Sequence, residues 1–167
     1  MKKFALVLSL VCLTVAPVLA GTVNVSGRAG MYNPGSGSSA SMMYGVAADY
    51  GLTPNLSIRG ALDTTTYTVG GSSVTYMPAT VDLIYSQTIG GVLTPYAGAG
   101  LGYNSVTVGG TTASTTGYQA EVGVKASLGG MSAGLEYRYI IPDASKSAST
   151  SSSNAFIEGG FSQSFNI

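Results

Sequence analysis

The sequence predicts an all-β fold: a transmembrane, eight-stranded, antiparallel up-and-down β-barrel that follows a cleaved signal peptide. Three observations carry this. Apolar residues alternate with polar or small ones along most of the chain, charges keep to one side of that alternation, and short turns alternate with longer loops. Composition agrees. The 167 residues include 24 glycines but only 7 basic and 7 acidic side chains. A charged fraction of 8% is about a third of the ~25% usual in soluble domains, so something other than a charged surface keeps the protein in its solvent. The length fits one domain. With no histidine, Ser-His-Asp hydrolysis, Cys-His chemistry and His-ligated metal are excluded. Beyond the N-terminus no apolar run approaches the ~20 residues of a membrane helix.

The N-terminal segment reads as a targeting signal. Lys2 and Lys3 form its positive region, Phe4 to Val15 its apolar region, and Val18-Leu19-Ala20 a small-residue cleavage site before Gly21. Residues 1–20 are therefore assigned to the signal peptide and 21–167 to the barrel domain. An uncleaved anchor helix is the competing reading, but the stretch is short and Pro17 interrupts it. Cys12 follows Val11, where a lipoprotein site needs a small residue, so no lipid anchor is expected. From Gly21 onward there is no cysteine and hence no disulfide. Five basic and seven acidic residues remain, a net charge of −2, with no basic patch for nucleic acid.

Period-2 alternation is clearest over residues 118–128. Tyr118, Ala120, Val122, Val124, Ala126 and Leu128 make one face; Gln119, Glu121, Gly123, Lys125 and Ser127 make the other. Gly129-Gly130 turns the chain into a second such strand over 131–141, and the two form a hairpin. The same pattern gives strands over 22–32, 41–51, 56–67, 74–86, 93–104 and 155–167. Each is long enough for a tilted crossing of ~9–11 residues. The connections Leu52-Thr53-Pro54-Asn55, Thr88-Ile89-Gly90-Gly91 and Gly129-Gly130 are short. At the other end Ser/Thr/Gly-rich loops are expected over 33–39, 105–116 and 142–153, with only Gly70-Gly71-Ser72 short. Pro78 falls inside a strand, so a bulge or a shifted boundary is expected there.

Alternation alone also fits a soluble barrel or sandwich, so the buried face must be decided. If the apolar faces pointed inward, the surface would be Gly, Ser, Thr and Asn with few charges, an improbable soluble exterior. Phasing each strand by its apolar residues places all ten strand charges on the opposite face: Arg28, Asp49, Arg59, Asp63, Asp82, Glu121, Lys125, Glu136, Arg138 and Glu158. A basic side chain facing lipid at mid-membrane costs ~2–4 kcal/mol, which accounts for the segregation. The ten charges therefore share the lumen, where four basic and six acidic groups can pair. On the apolar face, Tyr50, Tyr85 and Phe165 lie toward the short-turn ends, and Tyr44, Tyr103, Tyr118 and Tyr139 toward the loop ends. These predict two aromatic girdles.

Three stretches, YGLTPNLSIR from Tyr50 to Arg59, LTPYAGAGLGY from Leu93 to Tyr103 and GLEYRY from Gly134 to Tyr139, resemble the small outer-membrane β-barrel family of Gram-negative bacteria. That family includes opacity-type proteins and OmpA- and OmpX-like barrels. The resemblance spans the chain after the signal segment and implies a bacterial outer-membrane location. It also implies outer-membrane lipid and lipopolysaccharide as surroundings and the barrel-assembly machinery as a partner in biogenesis. A monomer is expected. The chain ends in Ile167 where the family's assembly signal usually ends in an aromatic, although Phe161 and Phe165 keep the alternation.

Fold does not assign function. Eight strands leave an interior just wide enough for side chains to fill, so the lumen charges read either as a structural plug or as an ion path. Gly98, Gly100 and Gly102 alternate on the lumen face and are expected to make room for large side chains from opposite strands. Outer-membrane lipid A deacylases, acyltransferases and proteases, as the resemblance implies, rely on a catalytic histidine that this chain lacks, so an enzyme is not expected. No metal and no cofactor are expected either. Two functions remain: a structural or surface-interaction protein whose loops meet lipopolysaccharide or other surfaces, and a narrow hydrophilic channel for ions or small solutes. The loops contain few of the large side chains that anchor interfaces.

Overall fold

Alternation of period 2 without a helical stretch leaves the chain only one way to satisfy its backbone in lipid, which is a sheet closed on itself. The computed structural model describes residues 21–35, 39–145 and 151–165 and shows that closed sheet. The strands are β1 (Gly21–Asn33), β2 (Ser41–Thr53), β3 (Leu56–Val69), β4 (Ser72–Ser86), β5 (Leu93–Val108), β6 (Thr111–Leu128), β7 (Met131–Ile141) and β8 (Ser152–Phe165). Each pairs antiparallel with its neighbours in sequence, and β1 with β8 completes the ring. The expected signal segment, residues 1–20, lies outside the described residues, as do Lys146 and Ile167.

Register fixes the shape. Stepping from Val23 through Tyr50, Ile58, Leu83, Ala99, Ala120, Tyr139 and Ser153 returns to β1 at Asn33, ten residues from the start. That stagger tilts the strands, typically by about 35–45° in closed barrels. Burial alternates along every strand. Leu101, Ile157 and Phe161 on the outer wall are exposed, whereas Arg59, Asp82 and Arg138 inside are almost fully buried. The apolar face is thus the outside. Tyr44, Tyr85, Tyr103, Tyr118 and Tyr139 project from that wall, and Tyr50 is half-buried on it. The side chain of Phe165 lies outside those described.

Two expectations are corrected. Residues 105–116 are not a long loop: β5 and β6 run on and meet at Gly109-Gly110, with Ser105 opposite Ser114 and Thr107 opposite Thr112. Both glycines have positive φ (57° and 85°), as do Gly70-Gly71 (56° and 82°) and Gly129-Gly130 (58° and 90°). Two consecutive left-handed residues match the twist of a two-residue hairpin turn. Nor does Pro78 make a bulge. Its pairing with Asn104 of β5 is unbroken, and on the β3 side the ladder lapses between Leu62↔Ala79 and Thr65↔Tyr76 without changing register. The missing N–H costs ladder bonds locally, and the closed ring holds the strand in line. Among the described residues the irregular register lies instead between Gly51 and Thr53, at the β2–β3 turn.

Candidate functional site in the charged lumen

Every lumen charge comes from a strand position in phase with its inward neighbours, so the barrel wall itself aims them at one another. Arg28 on β1 donates from Nε to Asp63 Oδ1 (2.7 Å), and its Nη2 pairs with the second oxygen. Its Nη1 reaches Glu136 at 3.3 Å. Arg59 on β3 forks onto Asp49 through Nε (2.6 Å) and Nη2 (3.2 Å), while Nη1 bonds Glu121 (3.1 Å) and Glu136. Arg138 on β7 donates twice to Glu121 Oε2, at 2.9 and 2.6 Å, and once to Glu136 at 2.8 Å. Lys125 bonds Asp49 at 2.7 Å. Glu158 lies 3.6–3.7 Å from Arg28, Arg59 and Lys125, in ion pairs without hydrogen bonds. Nine of the ten sequence-predicted charges thereby join one network. Asp82 stands apart, held by the Gln119 amide at 2.6 and 2.8 Å.

The register shows how partners two strands apart can meet. Arg28 is opposite Gly45, and Gly45 is opposite Asp63; with no side chain between, the carboxylate leans over Gly45 to the guanidinium. Asp82 and Gln119 meet across Gly100, Tyr96 and Glu136 across Gly123, and Lys125 and Glu158 across Gly134. A Cβ on Gly45, Gly100 or Gly123 would overlap the bridging side chain. The space at Gly98 and Gly100 is therefore filled from adjacent strands, by Ile84 and Asp82, rather than from opposite ones as expected.

Above the network, toward the longer connections, sequence reasoning missed a second layer. Tyr32 stacks on Tyr76 (centroids 5.0 Å apart) and tilts against Tyr67 (5.5 Å), with Met43, Phe156 and Val106 packed on them. The Phe156 ring covers Arg28 at 4.6 Å and Arg138 at 5.7 Å, joining the layers by cation–π contact. Tyr76 donates to Asn104, which donates to the Pro142 carbonyl. The signal was present: Tyr32 and Phe156 share the inward phase of Arg28 and Glu158, four and two residues away. Below the network, at the short-turn end, a vestibule of about 580 Å³ opens between hydroxyl side chains and is floored by Asp49, Arg59, Tyr96 and Lys125. Among the described residues no cluster of potential ligands is arranged to hold a metal ion.

Similarity to known proteins runs the length of this architecture. The N-terminal β-barrel domain of Pseudomonas aeruginosa OprF superposes with a TM-score of 0.63 at 20% identity, covering 86% of this chain and 99% of that one. Neisserial surface protein A gives 0.62 at 19% identity over 88% and 98%. The attachment invasion locus protein Ail of Yersinia pestis gives 0.60 at 14% over 87% and 100%. The outer membrane enzyme PagL also superposes, at 0.54 and 13% identity over 83% and 98%, so this fold is compatible with catalysis. No curated protein matches the sequence at a significant level. The family model for the outer membrane protein beta-barrel domain matches residues 4–165. The chain belongs to that family and is a small β-barrel of the bacterial outer membrane.

Proposed function

We propose that the barrel is a non-conducting, non-enzymatic membrane anchor that presents its upper hairpins and loops at the cell surface. The observation that carries this is a lumen filled by two layers of buried side chains. Arg28, Arg59 and Arg138 are paired with carboxylates across its waist, and Tyr32, Tyr76, Met43 and Phe156 pack together above them. An ion would have to break buried pairs and then cross an apolar constriction, each costly in a low-dielectric interior. Catalysis lacks support as well, since no imidazole is available and each lumen carboxylate is already engaged by a cation or an amide.

A narrow hydrophilic channel is the second reading. It is favoured by the polar vestibule, which brings solvent to Lys125 and Asp49 from the short-turn end. Planar-bilayer recording separates the two. Wild type should be silent at moderate voltage, and Glu136→Ala should stay silent because the aromatic layer persists. Discrete wild-type openings whose conductance changes in Glu136→Ala would establish the channel instead.

A further inference from the structure

Charge in the lumen does not balance. Arg28, Arg59, Lys125 and Arg138 give hydrogen bonds to four carboxylates, those of Asp49, Asp63, Glu121 and Glu136. Two carboxylates are left over. Asp82 is held by the Gln119 amide, but Glu158, its side chain 2% exposed, has no hydrogen-bond partner on either oxygen. Arg28, Arg59 and Lys125 stand 3.6–3.7 Å from it, each hydrogen-bonded to another carboxylate. Two further buried oxygens on the same side of the lumen have no partner, Ser26 Oγ and Asn24 Oδ1. Register brings them toward Glu158. Asn24, Ser26 and Arg28 alternate along the inner face of β1, and Glu158 lies opposite Arg28 on β8. Ser26 is opposite Gly160, where a Cβ would meet its side chain at 2.9 Å. It is thus the diagonal neighbour of Glu158, at about 7–8 Å between Cα atoms. Asn24 and Lys125 line the vestibule, as does Ser132, which faces Gly160 from β7. Glu158 is therefore one side chain away from a solvent-open cavity.

We infer that Glu158, Ser26 and Asn24 form a binding site for one small monovalent cation, an alkali ion or ammonium, that enters through the vestibule. Charge is the first argument. A buried carboxylate is strongly disfavoured unless something neutralises it, and the four basic groups are matched one for one by other carboxylates before Glu158 is reached. Donor type is the second. The unpartnered atoms belong to a carboxylate, an amide carbonyl and a hydroxyl, all of them oxygens able to accept, which is what a hard cation requires. One negative charge with two neutral oxygens suits a single positive charge, whereas a divalent ion draws on a fuller shell of oxygens. A water molecule there would satisfy hydrogen bonds and leave the charge. Access is the third. The vestibule walls carry hydroxyls, and on its floor Lys125 and Arg59 are both paired with Asp49, so an entering cation passes no unpaired positive group. Arg28 and the aromatic layer lie beyond Glu158. The site is a dead end, which adds to the anchor reading without depending on it.

Sodium NMR of the full chain, folded in neutral detergent micelles with ionic strength held constant by choline chloride, is the test. Wild type should broaden the sodium line saturably. Ammonium or potassium should reverse the broadening by competition, whereas choline, too large for the site, should not. Glu158→Gln should abolish it. Ser26→Ala and Asn24→Ala remove oxygens that have no partner within the protein, so in choline chloride the unfolding midpoint should stay nearly in place. Each should nonetheless weaken sodium binding by roughly fivefold. Asp82→Asn removes the other surplus carboxylate and should leave binding unchanged. A folded wild type that gives no saturable broadening overturns the inference, and so does broadening that survives Glu158→Gln, is reversed by choline, or disappears in Asp82→Asn. If Glu158→Gln does not fold, the two neutral-oxygen variants decide: an unaltered sodium affinity in both overturns the site.

Discussion

Arg138 has no exposed side-chain surface and donates to Glu121, Glu136 and Asp63. Removing it strands several carboxylates in the interior, and breaking a buried pair from one side costs roughly 3–5 kcal/mol. Arg138→Ala should therefore lower the unfolding midpoint in detergent sharply; an unchanged midpoint would contradict the network. Asp82 offers the contrast, because its partner is the neutral Gln119 amide. Asp82→Asn strands no buried cation and should shift stability by under about 1 kcal/mol in the same assay. The glycines sort in the same way. Gly45→Ala and Gly123→Ala place a methyl where Asp63 or Tyr96 crosses, an overpacking cost of about 1–3 kcal/mol. Gly27→Ala and Gly60→Ala, with nothing within 4 Å of the new atom, should be near neutral. The charged positions were legible in the sequence because lipid segregates charge by phase. The bridging over glycine was not, since it depends on register between strands far apart in sequence.

At the scale of elements, strand count and most turns follow from alternation and Gly-Gly pairs. The 105–116 stretch escaped for a physical reason. Once a strand leaves the membrane its outward face meets water, so polarity inverts: Leu101 and Tyr103 point out below, while Val106 points in and Thr107 out above. A reading that follows apolar phase loses the strand at that inversion and sees a stretch rich in Ser, Thr and Gly. The hairpin depends on its turn, because Gly109 and Gly110 both occupy left-handed φ. Alanine at both should cost about 1–2 kcal/mol per residue. Exchange should accelerate at amides near the turn while those of the lumen strands stay protected; uniform acceleration would mean that the hairpin and barrel unfold together.

For the whole molecule, closure and lumen packing are complementary. Eight strands with a ten-residue stagger enclose a space that side chains can fill, and this chain fills it with an ionic waist, an aromatic layer above and an open vestibule below. The ion pairs also impose an order on events in time. Arg28 on the first strand bonds Glu136 on the seventh, 108 residues away, and faces Glu158 on the eighth. Partners so distant cannot meet in a partly built wall, where the same charges would face lipid or require water. Ring closure and the pairing of Arg28 with Glu136 and Glu158 should therefore be a single kinetic step, whereas Arg59–Asp49 and Arg138–Glu121, on adjacent strands, can pair earlier. Fluorescent labels near Val23 on β1 and Gln163 on β8 should converge at the same rate as Tyr96 enters its buried setting. A Tyr96 signal well ahead of convergence would show a lumen assembling before its ring. Coincidence would mean that the chain spans the bilayer only as a finished cylinder, with assembly keeping its inner side wet until the last seam joins.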